Sequence, residues 1–376
     1  MNKTIYIYLF CLLFIFSGCR GGINSITKKS TLPVQKVSGR IITDTIWEGI
    51  IEVEDKIFIP DGLTLTIKPG TIIRFRKNNY KKSGHGDNRI YVQKNAKIIA
   101  AGEKFNNIFF TSAEAKPGSG DWQGLEFHPE NSISIIKYCR IEYAEEAIIC
   151  VISSPCISNN IITKNNKGIC IWQMSMPLIT ENLITENNIG ILCSSKSNPS
   201  ITSNIIKNNK TCGISCEKGA SGTINRNKIL NNYTGIKSFL NNILKIEENI
   251  IKNNNFGIYQ QSAKSGSISG NTIEENKYGI YSLRKTVLDI HNNKINKNEY
   301  GIFIWERTQG LISNNNFSNN KFGIYCGKSS HIDILNNNII KNAIGVLCEF
   351  SSYPIINFNN IYDQTDYDIK LGENQS

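Results

Sequence analysis

The sequence predicts an all-β fold, a parallel β-helix in which each coil of about 22 residues contains three short strands. A glycine followed by an aliphatic residue recurs at intervals of 22 residues, with one interval of 23. Isoleucines stand 11 and 6 residues before most of these glycines, and asparagines stand 8 and 3 residues before them. A fixed period of this length indicates one structural unit stacked on itself. The glycines of the series are Gly168, Gly190, Gly213, Gly235, Gly257, Gly279, Gly301, Gly323 and Gly345.

Each coil is expected to contain three strands because its apolar runs are short and are separated by asparagine or glycine. In the coil that ends at Gly279, the marker residues are Asn271, Ile273, Asn276 and Ile280. Such short runs rich in isoleucine favour strands over helices, and asparagine and glycine are expected to supply the left-handed or bridge backbone of the corners. Coils stacked about 4.8 Å apart would align isoleucines as a core and asparagines at the corners, with their amides bonded to the neighbouring coil.

The regular repeats are predicted to span residues 135–370, and residues 34–134 to form an N-terminal cap and less regular coils of the same helix. The segment Ile59–Thr71 is typical of two strands joined by a turn and followed by a Pro-Gly turn. Terminal coils of a solenoid differ from the others because they cover its exposed ends. Residues 371–376 are predicted to be a C-terminal tail.

The repeated unit Asn-x-Ile-x-x-Asn-x-x-Gly-Ile, as in Asn249–Ile258 and Asn271–Ile280, resembles the right-handed parallel β-helix repeat of the pectin-lyase-like superfamily. The segment Ile59–Thr71, upstream of the regular repeats, is similar to bacterial β-helix lipoproteins. The superfamily includes polysaccharide lyases, hydrolases, alginate epimerases, and NosD-type accessory proteins that assist copper-site assembly in nitrous oxide reductase. The resemblance implies a right-handed helix, and it leaves the activity open because one scaffold carries many different sites.

The N-terminus predicts export. Residues 1–19 contain Lys3, an apolar run from Ile5 to Phe16, and then Ser17-Gly18-Cys19. The apolar run is too short to span a membrane and is typical of a secretory signal. Small residues before Cys19 resemble a lipobox, which implies lipidation of that cysteine and a membrane anchor in the cell envelope. The alternative is a plain signal peptide and a soluble periplasmic protein. Residues 20–33 are expected to be a flexible tether.

The chain carries a net charge of +11, and export of a basic protein favours acidic glycans, lipopolysaccharide or anionic lipid headgroups as partners. A lysine-rich composition without any such role is the alternative. Nucleic acid is not expected in that compartment. Five cysteines stand three residues after the glycine position and are expected to be buried structural residues, so no metal or cofactor is predicted. They are Cys150, Cys193, Cys216, Cys326 and Cys348.

No catalytic residues are predicted, because acidic residues do not align on successive coils. Asp289 and Asp333 occupy equivalent places but lie two coils apart. A mechanism with paired carboxylates needs two acids within about 5–10 Å on one open face. Acids that converge in a groove of the folded protein would favour an enzyme instead.

Two groups of residues are candidates for ligand binding. Four coils in succession carry an aromatic residue two places after the glycine, where the side chain should face outward. A strip of exposed rings beside cations suits the binding of sugars or of a partner protein. Rings that pack on one another for stability are the alternative. The first group is Tyr259, Tyr281, Phe303 and Tyr325, flanked by Trp305, Arg284 and Arg307. The second group lies in a long basic loop and comprises Arg76, Lys77, Lys81, Lys82, His85 and Arg89; a solvated loop without function is its alternative.

These features favour an exported, lipid-anchored β-helix that binds an envelope or extracellular polysaccharide without catalysis. Two alternatives stay open at this point. One is a polysaccharide lyase, hydrolase or epimerase, and the other is a NosD-like accessory protein of a transporter or copper enzyme.

Overall fold

The computed structural model describes residues 33–77, 88–129, 134–264 and 266–372, and their regular structure consists of β-strands. The early strands are β1 (Val34–Arg40), β2 (Thr45–Trp47), β3 (Ile50–Ile59), β4 (Thr64–Ile67), β5 (Ile72–Phe75), β6 (Arg89–Val92), β7 (Lys97–Ala101), β8 (Ile108–Ser112) and β9 (Gly124–Phe127). The middle strands are β10 (Ile135–Lys137), β11 (Cys139–Glu142), β12 (Glu146–Val151), β13 (Cys156–Ser158), β14 (Ile161–Thr163), β15 (Lys167–Trp172), β16 (Leu178–Thr180), β17 (Leu183–Thr185), β18 (Ile189–Cys193), β19 (Ser200–Thr202), β20 (Ile205–Lys207), β21 (Cys212–Glu217), β22 (Ser221–Asn225), β23 (Lys228–Leu230), β24 (Thr234–Phe239), β25 (Ile243–Glu247), β26 (Ile250–Lys252) and β27 (Phe256–Gln261). The late strands are β28 (Ser267–Ser269), β29 (Thr272–Glu274), β30 (Tyr278–Leu283), β31 (Val287–His291), β32 (Lys294–Asn296), β33 (Tyr300–Ile304), β34 (Gln309–Ser313), β35 (Asn316–Ser318), β36 (Phe322–Cys326), β37 (His331–Leu335), β38 (Asn338–Ile340), β39 (Ile344–Cys348), β40 (Ile355–Asn357), β41 (Asn360–Tyr362) and β42 (Tyr367–Leu371).

The strands pair in parallel across successive coils and form three faces of a solenoid, so the predicted parallel β-helix with three strands in each coil is confirmed. The first face contains β2, β4, β7 and then every third strand to β40, fourteen strands in the described residues. The second face runs through β5, β8 and β11 to β41, and the third face through β6, β9 and β12 to β42. Strand β1 pairs with the long strand β3, which in turn pairs with β5 and with β6, so β1 and β3 precede both faces. No described helix is long and apolar enough to cross a membrane.

The core is a set of aliphatic columns inside the solenoid, one column from each face. In the coil that ends at Gly279, Ile268, Ile273 and Ile280 are all buried, and each pairs with an isoleucine in the next coil. The cysteines at the predicted inward position are also buried in this core, which confirms their expected placement. They are Cys150, Cys193, Cys216, Cys326 and Cys348.

Two columns of buried asparagines line two of the three corners, as predicted from the repeat. In each column the side-chain oxygen accepts a hydrogen bond from the backbone N–H of the preceding asparagine, one coil earlier, while the amide nitrogen donates to backbone carbonyls nearby. One column runs from Asn160 through Asn249 to Asn359, and the other from Asn165 through Asn254 to Asn342. Corner backbone that water cannot reach is therefore satisfied by the neighbouring coil.

The expectation that asparagine and glycine supply the left-handed backbone of the corners is only partly right. Left-handed backbone falls on the residue just before a column asparagine, and that residue is as often charged as it is asparagine: Glu275 has φ 55° and Lys297 has φ 54°. The glycines of the repeat have another role. A Cβ atom on Gly279 would lie 2.5 Å from the carbonyl oxygen of Gly301, so glycine is required by the close approach of the coils.

Candidate functional site

A column of stacked rings runs along the outer side of the third face. Tyr259, Tyr281, Phe303 and Tyr325 are register partners on consecutive strands β27, β30, β33 and β36. Their ring centroids are separated by 5.5, 4.9 and 4.6 Å, and adjacent rings are within 20° of parallel. These side chains lie outside the aliphatic core because they alternate with the inward isoleucines of the same strands.

A second column of rings lies beside the first and contacts it. Phe256, Tyr278, Tyr300 and Phe322 immediately precede the repeat glycines, and their centroids are 5.1, 4.9 and 4.8 Å apart. Rings of the two columns meet edge to face, as Tyr278 and Tyr281 do at 5.0 Å and 70°. Offset stacking and edge-to-face contacts are the favourable geometries for aromatic pairs. We call these eight residues the aromatic ladder.

The aromatic ladder is packed at its C-terminal end and half-exposed elsewhere. Tyr325 is 9% exposed and forms a small outer cluster with Ile344 and Leu347, against which Trp305 and Phe303 also pack. The indole of Trp305 passes over Gly327, where a Cβ atom would lie 2.5 Å from the ring. The rings therefore stabilise one another and also present a partly apolar surface to solvent.

Tyr259, Tyr281 and Tyr300 of the aromatic ladder keep their protons at neutral pH. Burial raises the pKa of Tyr259, Tyr281 and Tyr300, and Arg284 offsets a small part of that rise at Tyr259. The hydroxyl of Tyr259 donates to the side-chain oxygen of Gln261 at 2.7 Å, and that of Tyr325 donates to Glu349 at 2.6 Å. Hydroxyl donors and acceptors thus line the edge of an aromatic surface, an arrangement that suits a polar ligand with apolar faces.

A basic cavity of about 390 Å³ adjoins the aromatic ladder at the corner that follows the third face. Its walls are residues in left-handed conformation that follow the third-face strands of successive coils. Their backbones are hydrogen-bonded from coil to coil, as Lys285 N–H is to the carbonyl of Glu306 at 2.9 Å. The lining residues are Ser262, Arg284, Lys285, Glu306, Arg307, Lys328 and Ser329.

The charge of the basic cavity is only partly neutralised. Glu306 lies between Arg284, at 3.4 Å, and Lys328, at 2.6 Å, and its hydrogen bond with Lys328 is the main reason that its pKa is lowered. Within the described ranges, neither Lys285 nor Arg307 has an ion-pair partner. Four cations and one carboxylate line the cavity, so it favours an anionic group. Of the predicted residues, Trp305 packs on the rings, and Arg284 and Arg307 line the cavity, whereas Lys328 and Glu306 were missed.

A cluster of polar side chains lies on the early coils of the same face. Its residue Arg89 belongs to the predicted basic loop, and its other members were not predicted. Glu126 accepts from Arg89 and from His128 Nε2, the latter at 2.8 Å, and the ring of His128 lies 4.4 Å from that of Tyr91. Glu126 and Arg89 line a cavity of about 290 Å³ together with Glu146. Burial and the nearby Glu126 raise the pKa of Tyr91, so its hydroxyl stays protonated at neutral pH.

The members of the predicted basic loop that the structure describes are all close to acids. Arg76 contacts Glu52 at 2.8 Å, and Lys77 contacts the buried Asp121 at 3.3 Å. Arg89 contacts Glu126, as described above. Lys81, Lys82 and His85 lie outside the described residues, as do Cys19 with residues 1–32, and residues 373–376 of the predicted tail.

The fold and these surfaces define a parallel β-helix whose third face carries an aromatic ladder beside a basic cavity. Three family models match successive parts of the chain, each less than half of it. A pectate-lyase-like β-helix domain matches residues 39–134, a right-handed β-helix region matches 119–241, and the periplasmic copper-binding protein NosD matches 213–375. The predicted resemblance to right-handed parallel β-helix repeats is therefore confirmed.

Two solved structures from Azotobacter vinelandii are similar to the chain over most of its length. The A-module of the mannuronan C-5 epimerase AlgE4 is 11% identical, with 89% of each chain covered and a TM-score of 0.45. The A-module of the mannuronan C-5 epimerase AlgE6 is 9% identical, with 91% of each chain covered and a TM-score of 0.33. Likeness at this level carries no argument about activity. No curated protein sequence matches the chain.

The residues in the part similar to NosD do not fit a copper site. Copper binds to thiolates and imidazoles that can converge on one point. In the described part of the chain, no group of three or more His, Cys, Asp or Glu side chains converges in this way. Cys326 and Cys348 face the core, and burial raises the pKa of Cys348 to about 11, which disfavours the thiolate.

Proposed function

We propose that this β-helix binds an acidic polysaccharide of the cell envelope or its surroundings along the aromatic ladder and the basic cavity. The observation that carries the proposal is their adjacency on one rigid surface, since Trp305 packs on the rings and is followed directly by Glu306 of the cavity. Ring faces suit the apolar faces of sugars, and the surplus cations suit carboxylate or sulfate groups. Strands of a stacked solenoid hold such groups in place before a ligand arrives.

Export is part of the same proposal. The family model that matches residues 213–375 describes a periplasmic protein, and this supports the secretory signal predicted at residues 1–19. We further propose a lipid anchor at Cys19, which would hold the binding surface near the membrane. The same match supports the alternative of a NosD-like accessory protein, whose partner would be a protein instead of a glycan.

The double variant Lys285→Gln/Arg307→Gln is expected to bind an acidic polysaccharide about tenfold more weakly, a change of about 1.4 kcal/mol. These two cations have no ion-pair partner within the described residues, so their removal should affect the ligand more than the fold. Binding to immobilised alginate and polygalacturonate would be measured at low and at physiological salt, because the loss should be largest where screening is weakest.

A matched control removes the same charge elsewhere. Lys228→Gln/Lys245→Gln changes two exposed lysines on the second and first faces, and it should leave the affinity unchanged. Equal weakening by both variants would mean that net charge alone drives binding. If the wild-type protein binds neither these acidic polymers nor neutral dextran, the glycan proposal is wrong and a protein partner becomes the better explanation.

The cluster around Glu126 favours a second candidate function, an enzyme that acts on polyuronates. Glu126 and His128 are residue types that serve as general acids and bases, their side chains are hydrogen-bonded to each other, and Arg89 lines the same cavity as Glu126. An active enzyme should release unsaturated sugars or change the uronate composition, detected by ultraviolet absorbance and by NMR, and His128→Ala should lower the rate at least a hundredfold. An unchanged substrate after long incubation with the wild type would exclude this candidate.

A further inference from the structure

A recess of about 260 Å³ lies at the N-terminal end of the aromatic ladder. The rings of Phe256 and Tyr259 form one wall, and the exposed ring of Tyr233 forms another, 5.9 Å from Phe256. The side chains of the preceding coils at this place are small or flexible. The other lining residues are Ile189, Thr211, Cys212, Ser215, Glu217, Thr234 and Lys237.

The recess exists because both ring columns end there. The register partner of Phe256 in the preceding coil is Thr234, and that of Tyr259 is Lys237. One coil further, the same two places hold Cys212 and Ser215. Each terminal ring therefore stacks in parallel on a ring of the following coil. On the side of the preceding coil, Phe256 meets only the edge of Tyr233, and Tyr259 meets no ring among the described residues. The unstacked side of Phe256 and of Tyr259 faces the volume that a ring would occupy if the columns continued.

We propose that this recess is a subsite for one pyranose ring, which takes the place of the next ring in the aromatic ladder. The volume lies just below the range of about 300–1,000 Å³ that holds drug-sized ligands, and so it suits a single sugar. The inference rests on the proposed glycan binding and adds to it the place where one sugar residue is held.

Polar groups around the recess match the hydroxyl groups of a sugar. Glu217 and Lys237 face each other at 3.7 Å, a distance at which the ion pair is loose enough for both groups to bond to a ligand. The hydroxyl oxygens of Thr211, Ser215 and Thr234 add acceptors beside the aromatic wall, while Thr211 already donates to Asn188 and Ser215 to Glu217. An apolar wall with a few convergent polar groups is the usual composition of a small-molecule site.

The test fills the recess with a ring that the repeat already accepts. Thr234 is the register partner of Phe256, so Thr234→Phe extends the column of Phe256 by one ring. Lys237 is the register partner of Tyr259, so Lys237→Tyr extends the column of Tyr259 by one ring. The probes are methyl β-D-glucopyranoside, methyl α-D-mannopyranoside, D-glucuronate and D-galacturonate. Binding of each probe is measured by saturation-transfer NMR. At least one should bind the wild type, and each blocking variant should lower that affinity at least tenfold.

The control adds a ring at the opposite end of the aromatic ladder. Ile344→Phe extends the column beyond Phe322 and should leave monosaccharide binding unchanged. If no probe binds the wild type, or if binding persists in both blocking variants, the subsite is wrong. Retention of polysaccharide binding in that case would leave the proposed function intact. Monosaccharide binding lost in Thr234→Phe and kept in Lys285→Gln/Arg307→Gln would support the subsite independently of the basic cavity.

Discussion

Replacing Asn254 with alanine is expected to lower the free energy of unfolding by roughly 3–5 kcal/mol, because several buried polar groups would lose their partners at about 1–3 kcal/mol each. The side-chain oxygen of Asn254 accepts from the backbone N–H of Asn232 at 2.9 Å. Its amide nitrogen donates to the carbonyls of Lys252 and Ile229 and to the side chain of Asn276, at 3.0 to 3.3 Å. The residue is 3% exposed, so water cannot replace these bonds without opening the corner.

The neighbouring residue provides the control. Asn255 is partly buried, and among the residues that the structure describes its side chain makes no hydrogen bond, so Asn255→Ala should change stability by less than about 0.5 kcal/mol. Urea unfolding followed by circular dichroism would measure both variants. Equal losses of unfolding free energy at the two positions would show that the hydrogen bonds of the buried asparagine column do not add to the stability of the protein.

The fold could be predicted almost completely because one period fixes both the strand count and the register. Ile268, Ile273 and Ile280 lie on three different faces, as their spacing requires. The corner backbone was predicted less well. A position such as Lys297 takes a left-handed conformation because its neighbours on both sides are hydrogen-bonded to adjacent coils, and that tertiary cause outweighs local residue preference.

The candidate site was predictable only where it follows the period. Tyr281 and Phe303 could be placed next to each other from their equal distance to a glycine, and Glu306 and Lys328 could have been placed in the same way, since both stand five residues after one. The cluster of Arg89 and Glu126 could not be predicted, because these two residues are brought together by irregular coils and stand 37 positions apart in the sequence. The exposure of a given ring could not be predicted either, because it depends on residues of the neighbouring coil, such as Ile344 beside Tyr325.

Replacing Gly279 with alanine is expected to destabilise the protein by about 3 kcal/mol and to break the aromatic ladder at its centre. The added methyl group would lie 2.5 Å from the carbonyl oxygen of Gly301, which is backbone and cannot rotate away. The two coils must therefore move apart. Tyr278 and Tyr300 immediately precede these two glycines, and their rings stack at 4.9 Å. The rings of Tyr281 and Phe303, two residues after the glycines, also stack at 4.9 Å, so any separation of the coils also separates the rings.

The loss of stacking distinguishes this effect from general destabilisation. Near-ultraviolet circular dichroism should weaken in Gly279→Ala, and affinity for an acidic polysaccharide should fall with it even where the variant remains folded. Gly118→Ala is the control, because a Cβ atom there would meet nothing nearer than an Asp121 oxygen at 4.0 Å. An unchanged ring signal in a folded Gly279→Ala protein would mean that the coils absorb the methyl group elsewhere. The glycine column would then set neither the spacing of the rings nor the geometry of the binding surface.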